Sequence, residues 1–394
     1  MGAPTLDSPI LYFGNDWDAE NRTSSHQMAM QLSAHLDLIY IECPGLRRPS
    51  GSGRDLRKLI DKVRKTLRGV RTIGGMRVYT LFQLPFHGNS LARRINRTLV
   101  AWQVRGVRRL LGKPRPVLWF VVPHLSYVPR LFPSLTSVYY CIDKFAALPG
   151  VDVQAVSSMD EQLTRDASVV FVASEKLLDD KKRVRPDALL SPHGVDFDHF
   201  SSVMAAGERP AELANWRGKI VGFWGLIEAW IDLELLAHIA KQRPDWLIVL
   251  IGHAAVDVSL LRRYPNVLLI GKKTFAELPK YARFFDAGIL PYRLTEQVIH
   301  SNPIKLREYL ATGKPVVSVR FPHAEKFADV IYLADNHDEF VARLDAALSE
   351  TDPGASQRRI EAVRSSTWDA RARAAMTAVA ERMEGRAPRP VSVT

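Results

Sequence analysis

The sequence predicts an α/β protein built from two Rossmann-like domains that face a central cleft. The chain has 394 residues, which is more than a single hydrophobic core usually supports. Short apolar runs rich in β-branched and aromatic residues alternate along it with amphipathic stretches of helix length. This alternation is typical of parallel sheets covered by helices.

The predicted strands fall into two groups of similar size. In the first half of the chain they cover residues 10–13, 38–41, 76–82, 117–122, 137–141 and 169–173. In the second half they cover residues 219–224, 247–252, 266–271, 287–291 and 315–319. Each group is large enough to form one sheet.

A segment of small, polar and proline residues separates the two groups. It runs over residues 205–218 and has the composition of an interdomain linker. We therefore predict an N-terminal domain over 1–204 and a C-terminal domain over 219–366. Residues 367–394 form a last helix and tail, and we expect this helix to pack back toward the N-terminal domain.

Two cysteines, Cys43 and Cys141, are too few for a disulfide framework or a thiolate metal site. This number fits a reducing compartment. The first residues lack the basic and apolar regions of a signal peptide, and no apolar run is long enough to predict a membrane-spanning helix.

The chain carries a formal net charge of +12, and most of the excess of basic over acidic residues lies in the first half. Between Arg47 and Arg115 there are 19 Lys or Arg residues against two Asp. Residues 54–70 predict a helix with leucines and valines on one side and basic residues around the rest. Such a helix can lie on an anionic membrane surface, or it can pack on its own sheet with a solvated basic face.

Nucleic acid is another partner for a basic surface. The basic region lacks interleaved aromatic residues, recognition-helix signatures and zinc-ligand spacing. We therefore do not expect the protein to bind nucleic acid.

The segment His300–Val319 is the most informative part of the sequence. Ser301 or Asn302 can cap a helix that has Pro303 and Ile304 in its first turn. A helix that starts at the carboxyl edge of a parallel sheet presents N–H groups and a partial positive charge, which suits a diphosphate.

Two charged residues on this helix add to the prediction. Lys305 would bring a full positive charge to a phosphate, and the Glu308 carboxylate could accept hydrogen bonds from two ribose hydroxyls. The alternative is an ordinary surface pair on an amphipathic helix.

The same segment resembles the signature of GT-B glycosyltransferases of the family four type, in which a helix carries a glutamate followed by a small residue, glycine and PVV. Glu308 matches that glutamate. The resemblance narrows to a bacterial polysaccharide subgroup that includes teichuronic-acid glycosyltransferases and, more distantly, the xanthan glucuronosyltransferase. The matching segments cover residues 138–145, 191–200, 222–236, 271–293 and 302–317.

The resemblance implies a metal-independent hexosyltransferase without a cofactor. Its donor would be a nucleotide sugar held by the C-terminal domain, with UDP-sugars preferred over GDP- or dTDP-sugars. The N-terminal domain would bind a lipid-linked or saccharide acceptor during synthesis of a bacterial exopolysaccharide or cell-surface glycan. We expect a cytoplasmic protein on the inner face of the cell membrane.

Further donor contacts are expected around the helix. Trp224 and Gly225 end a strand where backbone N–H groups could approach a phosphate, and Tyr292 follows another strand. His193 and Asp196 lie in a segment similar to the family's domain hinge. Each of these has a structural alternative. The Gly225 turn could serve only packing, and Tyr292 could be a core residue. His193 could be a structural histidine, and Asp196 could be a helix cap.

One position departs from the family. The wider family has a second glutamate seven residues before the ribose-binding one, and Ser301 stands there in this sequence. Donor-sugar contacts of that type are therefore not expected from position 301.

The acceptor side is predicted around Asp143, which directly follows the strand Ser137–Cys141. A carboxylate at that sheet edge could act as general base on an acceptor hydroxyl, and the matching aspartate has this role in the xanthan-type enzyme. A structural aspartate at a strand end is the alternative.

The loop after the first strand is expected to face the acceptor and the donor phosphates. It contributes Asp16, Arg22 and His26. Asn21 or Thr23 could instead cap an ordinary helix here. Residues 16–18 and 196–198 also fit the Asp-x-Asp pattern of metal-bound nucleotide sugars, which is common by chance. No metal is required, because a helix end and Lys305 supply the positive charge.

Two other functions fit the same observations. A nucleotide-sugar epimerase of the same fold would need a donor and no acceptor. A non-catalytic basic module would bind a membrane or nucleic acid and would not bind nucleoside diphosphates.

Overall fold

The computed structural model describes residues 5–17, 23–43, 61–84, 90–113, 115–205 and 207–387. The chain divides into two compact units. The first consists of Met1–Pro192 together with Trp368–Val393, and the second of His193–Thr367. Within the described residues, no helix is both long enough and apolar enough to cross a bilayer.

The first unit contains a mostly parallel sheet whose strands have the order β3-β4-β2-β1-β5-β6-β7-β8. Only the pair of β3 and β4 is antiparallel among its described strands. The strands are β1 Ile10–Gly14, β2 Leu38–Glu42, β3 Arg71–Ile73, β4 Met76–Thr80, β5 Val117–Phe120, β6 Ser137–Cys141, β7 Val169–Val172 and β8 Leu189–Leu190. The five central strands β2, β1, β5, β6 and β7 are buried throughout, as expected for a sheet covered on both faces.

Helices connect the strands of this sheet. They are α1 Ser24–His35, α2 Ser90–Arg108, α3 Val128–Leu131, α4 Val153–Asp166 and α5 Glu175–Lys182. Residues 61–67 are also helical, whereas the first part of the predicted basic helix, residues 54–60, lies outside the described residues. The side chains of Asp152 and Ser174 accept hydrogen bonds from the first turns of α4 and α5 and so fix where these helices begin.

The second unit contains a parallel sheet with the order β11-β10-β9-β12-β13-β14. Its strands are β9 Ile220–Trp224, β10 Leu247–Ile251, β11 Val267–Gly271, β12 Ala287–Leu290, β13 Val316–Val319 and β14 Tyr332–Ala334. Its helices are α6 Phe197–Ser201, α7 Leu233–Gln242, α8 Leu278–Ala282, α9 Glu296–His300, α10 Ile304–Ala311, α11 Pro322–Glu325, α12 His337–Leu348 and α13 Ala355–Arg364. Two α/β units with parallel sheets confirm the predicted fold class.

The last helix, α14 Trp368–Met383, belongs to the first unit. The ring of His35 on α1 lies 2.7 Å from the Asp369 carboxylate on α14. The contact joins the two ends of the first unit's sequence.

Every predicted strand run contains a strand, but three strands were missed. They are β3, β8 and β14, each two or three residues long, and each lies at an edge of its sheet. Strands this short carry no period of alternation that a sequence pattern could reveal.

The predicted linker was wrong, because the boundary between the units lies at Pro192 and His193. Described residues of the segment 205–218 pack on the second unit instead. Leu213 is fully buried in the core of that unit. The Glu212 carboxylate accepts hydrogen bonds from Lys273 at 2.8 Å and from the Tyr281 hydroxyl at 3.0 Å.

The central strand β9 tolerates no side chain at Gly222. A Cβ there would lie 1.9 Å from the Phe285 ring, which is itself buried. We therefore expect Gly222→Ala to lower the free energy of unfolding by about 1–3 kcal/mol, the usual cost of overpacking a core. Urea unfolding followed by circular dichroism measures the difference.

Gly106→Ala is the matched control, because a Cβ at Gly106 in α2 meets no other atom within 4 Å. Replacing this helical glycine should leave stability unchanged or raise it by up to about 1 kcal/mol. If both variants unfold at the same urea concentration as the wild type, the packing argument for Gly222 is wrong.

Candidate functional site

The candidate site lies where the strand order of the second sheet reverses. Strands β9, β10 and β11 extend to one side and β12, β13 and β14 to the other, so β9 and β12 are neighbours. In open parallel sheets, ligands bind outside the carboxyl ends of the strands at such a reversal. Trp224 ends β9, and Tyr292 and helix α10 follow β12.

Trp224 and Glu308 are in direct contact. The indole Nε1–H donates a hydrogen bond of 2.7 Å to Oε2 of the Glu308 carboxylate. The indole itself is held by the Tyr309 ring, 4.1 Å away in an edge contact, and by the parallel Phe200 ring. Because Trp224 cannot turn, it fixes the orientation of the carboxylate.

Lys305 lies over the turn that follows β9. A Cβ at Gly225 would come within 2.0 Å of the Lys305 side chain, and Gly225 has a φ of +139°, which favours glycine. The turn is held by a hydrogen bond of 2.8 Å from the Gly225 N–H to the Ile251 carbonyl. The absence of a side chain at position 225 therefore allows the ammonium group to reach the end of the sheet.

The charges at this site influence one another. Desolvation raises the pKa of Glu308, while Lys305 and the Trp224 indole oppose the rise and Asp196 adds to it. Desolvation lowers the pKa of Lys305, and the charge of Glu308 opposes that change. Burial raises the pKa of Tyr292, with a further contribution from Glu308. A carboxylate, an ammonium group and a phenol thus share one partly desolvated site.

The predicted cap of the helix was wrong. Helix α10 begins at Ile304 and its N-cap residue is Pro303, whose backbone is extended. The Asn302 side-chain oxygen accepts a hydrogen bond of 2.5 Å from the Arg307 guanidinium, and the Ser301 hydroxyl donates to the Val298 carbonyl. Both side chains are thus turned away from the helix start.

A buried polar network holds Asn302 in place. His193 Nδ1–H donates to the Asn302 carbonyl at 2.7 Å, so both oxygens of Asn302 are engaged. Arg307 also donates to His323 Nε2 at 3.2 Å. The sequence did not single out Arg307 or His323, because a charged residue on a short helix usually faces solvent.

Asp196 and Tyr292 have structural contacts of their own. The Asp196 carboxylate accepts a hydrogen bond from the His199 N–H and thereby caps α6. Tyr292 is buried and its ring packs edge-on against Phe321. Both still lie close enough to Glu308 to interact with its charge.

In the first unit, Asp143 lies two residues after the end of β6, at the carboxyl edge of the sheet. Its Oδ1 accepts a hydrogen bond of 2.8 Å from the Lys144 N–H, which orients the carboxylate. The carbonyl of Asp143 accepts a further bond from the Phe145 N–H. The side chain is half-buried.

Asp16 and His26 are joined by a hydrogen bond after β1. His26 is buried in the first turn of α1, where its Nδ1 accepts from the Thr23 N–H at 3.0 Å and its Nε2–H donates to the Asp16 carbonyl at 3.0 Å. Thr23 is the N-cap residue of α1. His26 therefore helps to cap a helix, and Arg22 lies outside the described residues.

Within the described residues, no group of three or more His, Cys, Asp or Glu side chains is arranged to hold a metal ion. The positive groups gathered at the site are Lys305 and the start of α10. A helix start beside an ammonium group suits a diphosphate, and an oriented carboxylate behind them suits a ribose. Two units with mostly parallel sheets are the architecture of the GT-B class.

Comparison with known proteins agrees with this class. Residues 218–350 match the family model described as Glycosyl transferases group 1. Over 276 residues the chain is 28% identical to TuaH of Bacillus subtilis (strain 168), which is assigned the role of a teichuronic acid biosynthesis glycosyltransferase. The match covers 65% of this chain and 69% of TuaH.

Two solved structures are similar in fold. The E. coli trehalose-6-phosphate structure bound with UDP-2-fluoro glucose has a TM-score of 0.66 at 13% identity and covers 95% of this chain and 99% of its own. Anabaena HepE in complex with UDP and glucose has a TM-score of 0.63 at 12% identity and covers 95% of this chain and 98% of its own. The chain is a glycosyltransferase of the GT-B fold, and residues 218–350 are similar to the glycosyl transferases group 1 family.

The network behind the helix start predicts a pH dependence. Burial lowers the pKa of His193 to about 3, the bond to Asn302 opposes this and Arg307 adds to it. An unfolded histidine titrates near 6.5. Between these values the unfolded state binds more protons, so stability falls as the pH drops from about 6.5 toward 3.

The variant His193→Gln lacks the imidazole that takes up a proton when the protein unfolds in this pH range. We expect the slope of unfolding free energy against pH to fall by up to about 1.4 kcal/mol per pH unit, measured by urea unfolding between pH 7 and pH 4. His253→Gln, at an exposed position, should leave the slope unchanged. An unchanged slope in His193→Gln would show that His193 is not held neutral in the folded protein.

Proposed function

We propose that this glycosyltransferase moves a sugar from a UDP-sugar to a lipid-linked or saccharide acceptor during synthesis of a bacterial polysaccharide. The contact between Trp224 and Glu308 beside Lys305 supports the proposal most directly. It places a carboxylate suited to a ribose, Glu308, and a cation suited to a phosphate, Lys305, where the strand order of one sheet reverses.

The donor is bound in three parts in this proposal. The N–H groups at the start of α10 and the Lys305 ammonium bind the diphosphate. The Glu308 carboxylate accepts hydrogen bonds from the two ribose hydroxyls, because the indole holds it in one orientation. The turn at Gly225 brings backbone close to the phosphates. UDP is favoured because the similar E. coli and HepE structures contain UDP or a UDP-sugar.

The acceptor is activated by the first unit in this proposal. Asp143 takes the proton from an acceptor hydroxyl while that oxygen forms a bond to the anomeric carbon. The bond from the anomeric carbon to the phosphate oxygen breaks, and the nucleoside diphosphate leaves. Lys305 and the helix start stabilise the negative charge that develops on the leaving group.

The acceptor class follows from charge and from the relative in polysaccharide synthesis. TuaH is assigned to teichuronic acid biosynthesis, and the excess positive charge of this chain lies in its first half. A basic first unit can hold the enzyme at an anionic membrane, where lipid-linked acceptors are located. We therefore propose a peripheral enzyme at the inner face of the cell membrane.

Glu308→Ala tests the donor site. Removing hydrogen bonds from two hydroxyls to a charged group should weaken UDP binding at least tenfold, measured by isothermal titration calorimetry. Glu308→Gln keeps one oxygen acceptor and should lose less. Glu361→Ala, an exposed glutamate of the same unit, is the control and should bind UDP like the wild type. Unchanged UDP affinity in Glu308→Ala would remove the ribose role.

Asp143→Asn tests the catalytic role. The amide cannot accept the acceptor proton, so turnover should fall by at least about a hundredfold, while UDP affinity stays within twofold of the wild type. Asp179→Asn, at an exposed position of the same unit, should keep full activity. Turnover is measured as release of UDP with and without acceptor. A near-normal rate would assign Asp143 a structural role, and a converted sugar nucleotide formed without acceptor would indicate an epimerase.

A further inference from the structure

Helix α2, Ser90–Arg108, buries Val100, Val104 and Val107 as an ordinary surface helix would, but it also exposes apolar side chains. Three large apolar side chains point outward: Leu91 is 65% exposed, Ile95 is 44% exposed and Trp102 is 70% exposed. At about 100° per residue these three positions fall within about 40° of one another around the helix axis. They form a single stripe, which we call the α2 outer face.

The buried side of α2 also contains two amide side chains. Asn96 is 3% exposed and Gln103 is 2% exposed. Asn96 bonds to both backbone groups of Leu84, at 2.8 Å and 3.0 Å. Gln103 bonds to both backbone groups of Phe82, at 3.0 Å and 2.9 Å. These paired bonds join the helix to the chain that follows β4.

The paired amide bonds fix the rotation of α2. Turning the helix to bury Trp102 would break four hydrogen bonds and leave the backbone groups of Phe82 and Leu84 without these partners. The outward position of the stripe is therefore a stable feature of the fold. A row of exposed apolar side chains of this kind marks an interaction surface.

Charge identifies the partner. The sequence contains no acidic residue between Asp61 and Asp143, and every charged residue of α2 is an arginine. Arg94 and Arg105 are exposed beside the stripe, and Arg109 is exposed just beyond the helix end. The α2 outer face thus combines a tryptophan and two aliphatic residues with arginines alone.

A bilayer with anionic headgroups satisfies both parts of this surface. Tryptophan and aliphatic side chains enter the headgroup boundary, and arginines bind the phosphates above them. A second copy of the same surface would place arginines against arginines, and nucleic acid would offer phosphates but no apolar phase for the stripe. We propose that the α2 outer face docks the protein on an anionic bilayer surface through Trp102, Leu91 and Ile95.

This proposal rests on the proposed function only for its purpose, which is to bring the enzyme to a lipid-linked acceptor. Vesicle binding itself requires neither donor nor turnover. Failure of UDP binding with intact vesicle binding would therefore contradict the donor site and not the docking face.

The test uses the full chain and sedimentation with vesicles. The wild type should bind vesicles of equal parts phosphatidylglycerol and phosphatidylcholine and should bind pure phosphatidylcholine at least tenfold more weakly. Trp102→Asp should lower partition onto the anionic vesicles at least tenfold. Val153→Asp, an equivalent change at a side chain 61% exposed in the same unit, should stay within twofold of the wild type.

Two further variants keep the test independent of any single substitution. Arg94→Gln and Arg109→Gln should each lower partition onto anionic vesicles about fivefold, corresponding to about 1 kcal/mol per basic residue near the surface. UDP affinity should be unchanged in all four variants.

The proposal is wrong if the wild type does not bind anionic vesicles. It is also wrong if Trp102→Asp binds them as well as the wild type does. A drop in molar mass on Trp102→Asp in light scattering would identify a second copy as the occupant. Loss of duplex DNA binding in that variant would identify nucleic acid.

Discussion

The hydrogen bond between the Trp224 indole and the Glu308 carboxylate is the contact on which the second unit's site depends. It joins the end of strand β9 to helix α10, two elements 84 residues apart in the sequence. The Tyr309 hydroxyl accepts a further bond from the Trp224 N–H at 3.1 Å. Consecutive residues of α10 thus hold the side chain and the backbone of one tryptophan. The strand end and the helix cannot shift independently, so Lys305 keeps its place over Gly225.

The start of α10 is notable for the side chains that do not cap it. Pro303 has no N–H to direct at a ligand, and Asn302, the usual type of capping residue, is engaged by His193 and Arg307. No side chain caps α10 in the part of the chain that the structure describes. No described side-chain oxygen therefore occupies the helix start beside Lys305, where the Leu306 N–H donates to the Pro303 carbonyl at 3.3 Å. The buried network keeps a side-chain cap away from the position where an anion would bind.

The sequence predicted some features of the second unit and missed others. Continuous apolar runs identify the central strands because both faces of a parallel sheet are buried, and the segment from Asn302 to Val317 identifies the helix. The composition of residues 205–218 was misleading, since a single buried leucine, Leu213, anchors a polar segment to the second unit. The hydrogen bond from His193 to Asn302 joins residues 109 positions apart, which meet only after folding. A local pattern contains no information about such contacts.

The two units use charge in opposite ways. In the second unit Lys305 and Glu308 lie together in a partly desolvated site, so each limits the change in the other's pKa. In the first unit the exposed arginines of α2, Arg94, Arg97 and Arg105, have no acidic neighbour on their own helix. Salt screens exposed charges far more than partly buried ones. Rising ionic strength should therefore weaken attraction of the proposed docking face to a membrane well before it weakens the proposed donor site. Salt would therefore control where the proposed enzyme is located more strongly than it controls which donor the proposed site binds.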